Sequence, residues 1–124
     1  MTQPTQKSGL DAHQLETLKQ KLLDARAELE ARRSSHVRAR TDLLSDVEDE
    51  GDAASRANSE DELVSLVESE HGRLAEIDHA LAKFESGEYG LDEETDEPID
   101  FKRLSILPWA RYSTETQEAL ELKR

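Results

Sequence analysis

The sequence contains no cysteine, and this absence removes several kinds of chemistry at once. Disulfide bonds, thiolate metal sites and cysteine nucleophiles are all excluded. Aromatic residues make up 4% of the chain and hydrophobic residues 35%, so the apolar core must be modest. A chain of 124 residues has room for one domain, or for a small domain with a long appendage.

Long hydrophobic runs are also missing. The segment 1–9 is polar, and charged residues interrupt the sequence every few positions after it. Such a pattern contains neither a transmembrane span nor the apolar core of a signal peptide. We therefore expect a cytoplasmic protein that does not contact a membrane, with residues 1–9 forming a flexible N-terminal tail.

Negative charge is what the sequence has in excess. The chain carries 29 acidic residues against 16 lysines and arginines, which gives a formal net charge of −13. Such a chain is repelled by phosphate backbones, so direct nucleic-acid binding is not expected. An acidic chain with few aromatic residues is either disordered or gathers its apolar residues into a narrow stripe.

Two stretches place their apolar residues at alternating steps of three and four, which is the pattern of a coiled-coil seam. The first series is Leu15, Leu18, Leu22, Ala25, Leu29, Arg32, His36, Ala39 and Leu43. The second series is Leu63, Val67, Glu70, Leu74, Ile77, Leu81 and Phe84. Ser59 and Glu62 form a capping-box pattern and predict the start of the second helix. The segment 45–58 has no apolar stripe and is predicted to be the bend, or tip, of a helical hairpin.

The register of this hairpin can be tested by arithmetic, because facing positions of an antiparallel pair have numbers with a constant sum. The numbers of Leu18 and Phe84 sum to 102, and the pairs that follow give 102 or 103. Half of that sum places the bend at Gly51, a glycine that takes no part in the register sum. The same register predicts that Arg32 faces Glu70.

These elements predict an all-α fold in which a long antiparallel coiled-coil hairpin over residues 10–86 is followed by a small C-terminal head over 87–124. The segment 101–107 is expected to be a short strand or extended segment. Residues 113–117 are expected to supply the cap of a last helix that runs to about Lys123. The candidate core of the head is Leu91, Ile99, Phe101, Leu104, Ile106, Leu107, Trp109, Tyr112 and Leu120.

No arrangement of residues predicts catalysis. The sequence shows no serine–histidine–aspartate order in a pocket-forming fold, no glycine-rich phosphate loop and no paired carboxylates in an enclosed site. The spacings of His36, His71 and His79 match no common metal motif. The acidic stretch 92–97 lacks the ligand spacing of an EF-hand and is interpreted as a solvated loop. We therefore expect neither an enzyme nor a bound cofactor.

The most specific stretch of the sequence runs from Ala80 to Leu107. It contains A-L-A-K-F-E-S-G-E-Y-G and E-P-I-D-F-K-R-L, and S-T-E-T-Q-E follows at residues 113–118. A long helical hairpin followed by these motifs resembles the DksA/TraR family of bacterial transcription factors. The resemblance covers residues 45–124 well and the first helix by its periodicity alone.

What the resemblance implies is binding to bacterial RNA polymerase rather than to DNA. Family members insert the hairpin through the secondary channel, so that the tip approaches the catalytic centre and alters initiation complexes. The tip pattern of the family matches Asp52, Arg56 and Ala57, while Ser55 stands where a second acidic residue is expected. The candidate tip residues are therefore Asp49, Glu50, Asp52, Ser55, Arg56 and Ala57.

The resemblance also bears on the partners of the chain. We expect a monomer that binds RNA polymerase. Some relatives use basic residues at the polymerase interface to bind guanosine tetraphosphate, the alarmone of the stringent response. Those positions fall here on Glu76, Leu107 and Gln117, none of which is basic. The alarmone is therefore expected to act on this chain only indirectly.

Most relatives carry a four-cysteine zinc finger in the head. Its ligand positions fall here on Asp92, Thr95, Ser113 and Thr116, so the spacing is retained while every thiolate is lost. One carboxylate and three hydroxyls are a poor ligand set for tetrahedral zinc. We expect a zinc-finger-like head without metal, in which Ser113 or Thr116 caps the last helix.

Two other functions stay open on the sequence. One is a coiled-coil adaptor or oligomerisation protein whose seam pairs between chains, although the constant register sum and the central Gly51 argue for pairing within one chain. The other is a cleavage-type or antagonistic factor of the same polymerase channel. In that case Asp49, Glu50 and Asp52 would hold a second Mg²⁺ at the tip.

Overall fold

The computed structural model describes residues 7–45 and 53–123. Within these residues the elements are α1 Ala12–Ser45, α2 Ala53–Ser86, α3 Phe101–Ile106 and α4 Thr114–Leu122. The predicted all-α class is confirmed, since extended pairing in the same residues is limited to an isolated antiparallel bridge between Leu91 and Pro98. No helix in this part of the chain is both long enough and apolar enough to cross a membrane.

Helix α1 begins with a reciprocal cap that the heptad pattern did not predict. The backbone N–H of Gln14 donates to Asp11 Oδ1 at 2.8 Å, and the N–H of Asp11 donates to Gln14 Oε1 at 3.0 Å. This arrangement is a capping box with aspartate in the first position. It satisfies two of the backbone donors that the start of a helix leaves without intrahelical partners.

Helix α2 begins earlier than the sequence predicted. The expected cap at Ser59 is wrong, because α2 starts at Ala53 and Ser59 lies inside the helix. The added residues are rich in strong helix formers, which extend the helix toward its N-terminus: Ala53, Ala54, Arg56 and Ala57. The two long helices are therefore joined by residues 46–52, which lie outside the described residues.

The chain divides into two compact units. The head unit comprises Met1–Ala25 and Glu76–Arg124, and the stem unit comprises Arg26–Ala75. Helices α1 and α2 each contribute residues to both units. The domain boundaries that the sequence suggests after residues 9 and 86 stay predictions.

The head unit is built around side chains from three helices and from the turn after α2. Leu18 and Leu22 of α1, Ile77 of α2 and Leu104 of α3 are 0% exposed, and Tyr89 is 1% exposed. Four more apolar residues are buried with them: Leu10, Ala80, Leu91 and Ile99. Burying one large aliphatic side chain stabilises a fold by about 1.5–3 kcal/mol. The head unit therefore has a hydrophobic core, although the chain is poor in apolar residues.

Residues Phe101–Ile106 form helix α3, so the strand or extended segment expected there is wrong. The helix turns Leu104 into the core, whereas Phe101 and Ile106 are 36% and 69% exposed and do not join the core as predicted. Lys21 Nζ donates to a backbone carbonyl in the last turn of α3 at 3.0 Å. A positive charge at this end of a helix is favoured by the helix dipole.

Two glycines end α2 and direct the chain into the head. Gly87 and Gly90 have φ angles of 76° and 88°, which glycine adopts without strain. A side chain at Gly90 would also be crowded, because a Cβ atom there would lie 3.0 Å from Leu10 Cδ1 and 3.0 Å from Ser8 Cβ. Between the glycines, the buried Tyr89 donates its hydroxyl hydrogen to the carbonyl of Pro108 at 2.7 Å. Burial raises the pKa of Tyr89, so this donor keeps its proton.

The stem unit has a narrow seam that includes polar side chains. In α1 the partly buried seam positions include Leu29, Arg33, His36 and Leu43. In α2 they include Leu63, Val67, Glu70 and Leu74. After Leu29 the seam therefore steps by four and then by three, and the predicted seam positions Arg32 and Ala39 are exposed.

The predicted pairing of Arg32 with Glu70 is wrong for the same reason. Arg32 Nη2 lies 2.5 Å from Glu28 Oε1, one turn earlier on its own helix. Glu70, which is 8% exposed, lies instead 2.9 Å from His36 Nδ1. A polar pair at a seam position specifies how two helices align more reliably than it stabilises them.

Candidate functional site

The predicted tip is described only in part. Three of its residues lie outside the described residues: Asp49, Glu50 and Asp52. The other three lie in the first turns of α2, where the backbone is helical: Ser55, Arg56 and Ala57. Residues 53–58 of the predicted bend are therefore helix, and the roles of all six tip residues stay predictions.

Asp92 is the first of the four positions that the family resemblance predicts to correspond to zinc-binding cysteines. It is 1% exposed, and both of its carboxylate oxygens accept hydrogen bonds. Oδ1 accepts from the backbone N–H groups of Glu94 and Thr95 at 2.8 and 3.2 Å. Oδ2 accepts from the N–H of Ser113 at 2.8 Å, and the hydroxyl of Thr116 donates to the same carboxylate. One buried anion thus joins two turns that lie 21 residues apart in the sequence.

Helix α4 begins at this centre. Ser113 is its N-cap, and Ser113 Oγ accepts a hydrogen bond from the backbone N–H of Thr116 at 3.2 Å, which confirms the predicted cap. The Ser113 hydroxyl donates in turn to Thr116 Oγ1 at 3.1 Å. Each hydroxyl both accepts and donates, and the series ends on the carboxylate of Asp92, so the bonds polarise one another. Thr95 contributes its backbone N–H, while its hydroxyl accepts from the N–H of Glu97 at 3.3 Å.

The hydrogen bonds decide the charge of Asp92. Burial acts to raise the pKa of its carboxyl, because a low-dielectric environment disfavours the ionised form. The hydroxyl of Thr116 and the backbone N–H groups of Ser113, Glu94 and Thr95 outweigh that effect and hold the pKa well below its usual range. Asp92 is therefore a permanent anion at any physiological pH.

The four positions do not fit zinc. A tetrahedral zinc site needs four converging lone pairs, usually from thiolate or imidazole. Three backbone N–H groups converge on Asp92 instead, with their positive ends toward the carboxylate. The centre is therefore arranged to bind an anion, and the carboxylate of Asp92 is that anion. Within residues 7–45 and 53–123, no group of three or more histidine, aspartate or glutamate side chains is placed to hold a metal ion.

Metal chelation is expected to leave the head folded. Neither EDTA nor 1,10-phenanthroline should lower the melting temperature, because hydrogen bonds to Asp92 join the two turns that zinc joins in a four-cysteine finger. Circular dichroism melts with and without chelator measure this, and a four-cysteine relative treated in the same way is the positive control. A melting temperature that falls with chelator and recovers with added zinc would contradict the assignment.

A second cluster, which the sequence did not predict, surrounds Glu93. Lys83 Nζ and His79 Nε2 of α2 lie 2.5 and 2.7 Å from Glu93 Oε2, and Arg111 Nη1 lies 3.9 Å from Oε1. Burial acts to raise the pKa of Glu93, but hydrogen bonds from Lys83 and His79 and their positive charge lower it below its ordinary value. Asp92 is buried, whereas residues 93–97 are exposed, so the interpretation of this stretch as a solvated loop is wrong at Asp92 and holds for the residues after it. The spacing of His79 and Lys83, four residues apart on one helix face, was the available signal.

Comparison with known proteins identifies the family, although no protein-family model matches the chain. The chain is 40% identical over 118 residues to a protein of Caulobacter vibrioides named RNA polymerase-binding transcription factor DksA, covering 90% of this chain and 79% of that one. An uncharacterized protein of Aquifex aeolicus is 34% identical over 110 residues, covering 86% and 76%. The structure of transcription factor DksA2 from Pseudomonas aeruginosa matches with a TM-score of 0.83 and 35% identity, covering 91% of this chain and 87% of that chain. The chain belongs to the DksA family.

Membership of the DksA family accounts for the order of the elements. Two long helices come first, and two short helices follow them. This member of the DksA family contains no cysteine, so its head holds no thiolate zinc site. The carboxylate of Asp92 provides the link between the two turns, so the head of this family member is organised by hydrogen bonds.

Proposed function

We propose that this chain binds bacterial RNA polymerase through the secondary channel and modulates transcription initiation with the tip of its hairpin, without contacting DNA directly. The observation that carries the proposal is the 40% identity, over 90% of the chain, to a protein named as an RNA polymerase-binding transcription factor. The net charge of −13 supports a protein partner, because phosphate backbones repel such a chain.

In the proposed function, the head and the tip of the hairpin have different roles. The head docks at the rim of the channel, and the hairpin enters it as a monomer. Asp52, Arg56 and Ala57 then act near the catalytic centre by steric and electrostatic contact, which biases the polymerase between initiation states. Asp49 and Glu50 add the negative charge that is missing at Ser55.

The proposal includes no direct contact with guanosine tetraphosphate. At the positions where some relatives bind this alarmone, the chain has an acid at Glu76, an apolar side chain at Leu107 and an amide at Gln117. The amide of Gln117 donates to Glu121 Oε1 at 3.1 Å. None of the three supplies the positive charge that usually binds phosphate groups.

Site-specific photo-crosslinking from position 52 tests the proposal. The expected result is a crosslink to the catalytic subunits of RNA polymerase near the active centre, which a competing channel-binding factor suppresses. A crosslinker at the exposed Glu118 of α4 is the control and should not reach the active centre. Absence of both the crosslink and co-elution with polymerase would mean that the family resemblance reports the fold alone.

The same experiment separates the other two functions. A coiled-coil adaptor would crosslink to a second copy of itself and would sediment as an oligomer. A cleavage-type factor would give the polymerase crosslink but would also stimulate transcript cleavage that depends on added Mg²⁺ and on Asp49, Glu50 and Asp52. A monomer that changes initiation without cleavage supports the proposed function over both.

A further inference from the structure

The hydrogen bonds of the Asp92 centre all lie within the head. The four donors to Asp92 come from Glu94, Thr95, Ser113 and Thr116, and all of these lie in the head. They join the two turns of the head to each other. None of these donors belongs to α2, so this centre does not by itself attach the head to α2.

Glu93, the next residue, makes a polar link to α2. Its carboxylate binds Lys83 and His79 on one face of that helix. Its backbone N–H donates to the carbonyl of Arg111 at 2.9 Å, and the Arg111 guanidinium lies 3.9 Å from the carboxylate. One residue therefore connects α2, the acidic turn and the segment that leads into α4.

The pair of Lys83 and Glu93 is less exposed to solvent than an ordinary surface ion pair, while the other two partners of Glu93, His79 and Arg111, are 40% and 39% exposed. The side chains of Lys83 and Glu93 are 14% and 27% exposed, so the solvent screens their attraction only in part. Three basic side chains share one carboxylate, and a network of this kind holds its geometry better than an isolated pair. The apolar core beneath it, by contrast, is held by non-directional contacts. The Glu93 cluster therefore supplies directional contacts that can fix the head on α2.

We propose that Glu93 is a positioning residue which holds the head in one orientation on α2, and that this orientation sets the affinity for RNA polymerase. The inference rests on the proposed function, in which the head and the hairpin contact the polymerase together. Two contacts on one rigid body bind with less loss of conformational freedom than two contacts that move independently. The tip acts only after binding, so the regulatory effect at saturation does not depend on Glu93.

The test is Glu93→Gln, which keeps the size of the side chain and removes its charge. Affinity for polymerase is expected to fall about fivefold, while regulation at saturating concentrations stays at the level of the unaltered chain. The matched control is Glu94→Gln, which removes the same charge from an exposed side chain in the same turn and should leave the affinity unchanged. Lys83→Gln breaks the link from the helix side, and combining it with Glu93→Gln should cost no more affinity than the larger single change.

Three outcomes would overturn the inference. Unchanged affinity in Glu93→Gln and Lys83→Gln would remove the positioning role while leaving the proposed function intact. Additive losses in the double variant would show that the two residues act separately. Loss of saturating regulation together with affinity, in variants with a lowered melting temperature, would assign Glu93 to folding alone. If the unaltered chain does not bind polymerase, the proposed function fails first, and the inference fails with it.

Discussion

Replacing Asp92 with asparagine is expected to lower the free energy of unfolding by about 2–4 kcal/mol. The carboxylate is buried and accepts four hydrogen bonds, three of them from backbone N–H groups. An asparagine side chain has one acceptor oxygen, so its amide hydrogens would face donors that have no other partner. The loss therefore combines weaker hydrogen bonds to an uncharged acceptor with the desolvation of unsatisfied N–H groups. Chemical denaturation followed by circular dichroism measures the change.

Asp100→Asn is the matched control for this experiment. Asp100 lies in the same head and is exposed, and as the N-cap residue of α3 it makes no side-chain capping hydrogen bond. Its replacement should change the free energy of unfolding by less than about 0.5 kcal/mol. Equal effects of the two substitutions would show that charge alone matters, and that the buried centre at Asp92 does not organise the head.

The free energy of unfolding is expected to fall in acid, because Asp92 and Glu93 become protonated. The pKa values of Asp92 and Glu93 are both lowered in the folded protein. Their stabilising contribution is therefore fully present above the ordinary pKa of these carboxyls and is lost as the pH falls toward the lower folded pKa. Denaturation at a series of pH values should show decreasing stability below about pH 4. Asp92→Asn should flatten that dependence, and an unchanged slope would contradict the assignment.

Asp52→Asn and Ala57→Thr are expected to abolish regulation of transcription initiation while polymerase affinity changes less than about twofold. The first change removes one negative charge at the tip without changing its size, and the second adds bulk where the proposed contact is close. In the proposed function the head and the length of the hairpin supply most of the binding energy, so neither change should release the protein. In vitro transcription and a competition binding assay on the same preparations give the two quantities.

Asp61→Asn is the control for the tip variants, because Asp61 is an exposed aspartate farther along α2. It removes the same charge and should leave regulation unchanged. Loss of affinity and regulation together in Asp52→Asn would point to misfolding, and full regulation in both tip variants would remove the tip from the mechanism. Glu93→Gln is expected to lower polymerase affinity and leave regulation at saturation unchanged, whereas Asp52→Asn is expected to abolish regulation and leave affinity nearly unchanged. Together the two variants separate binding from regulation.

The sequence by itself determined the helical class, the family resemblance and the cap of the last helix. Alternating steps of three and four predict which helix faces are buried, because this periodicity belongs to each helix alone. Ser113 was predictable because an N-cap bonds to its own chain only three residues later. The lack of cysteine excludes a thiolate zinc site whatever the fold, because no other side chain supplies a thiolate.

Only the tertiary structure decided how the head is organised. The bond between Asp92 and Ser113 joins residues that lie 21 positions apart, and no local pattern predicts the distance between two turns. The acidic stretch that contains Asp92 has the composition of a solvated loop. Asp92 is nevertheless a buried anion, because backbone N–H groups from both turns donate hydrogen bonds to its carboxylate. The partner of Glu70 is His36 and not Arg32, because the seam continues after Leu29 at residue 33 and not at residue 32. Periodicity predicts which helix face is buried, but the direction of a hydrogen bond depends on the position of both partners in three dimensions.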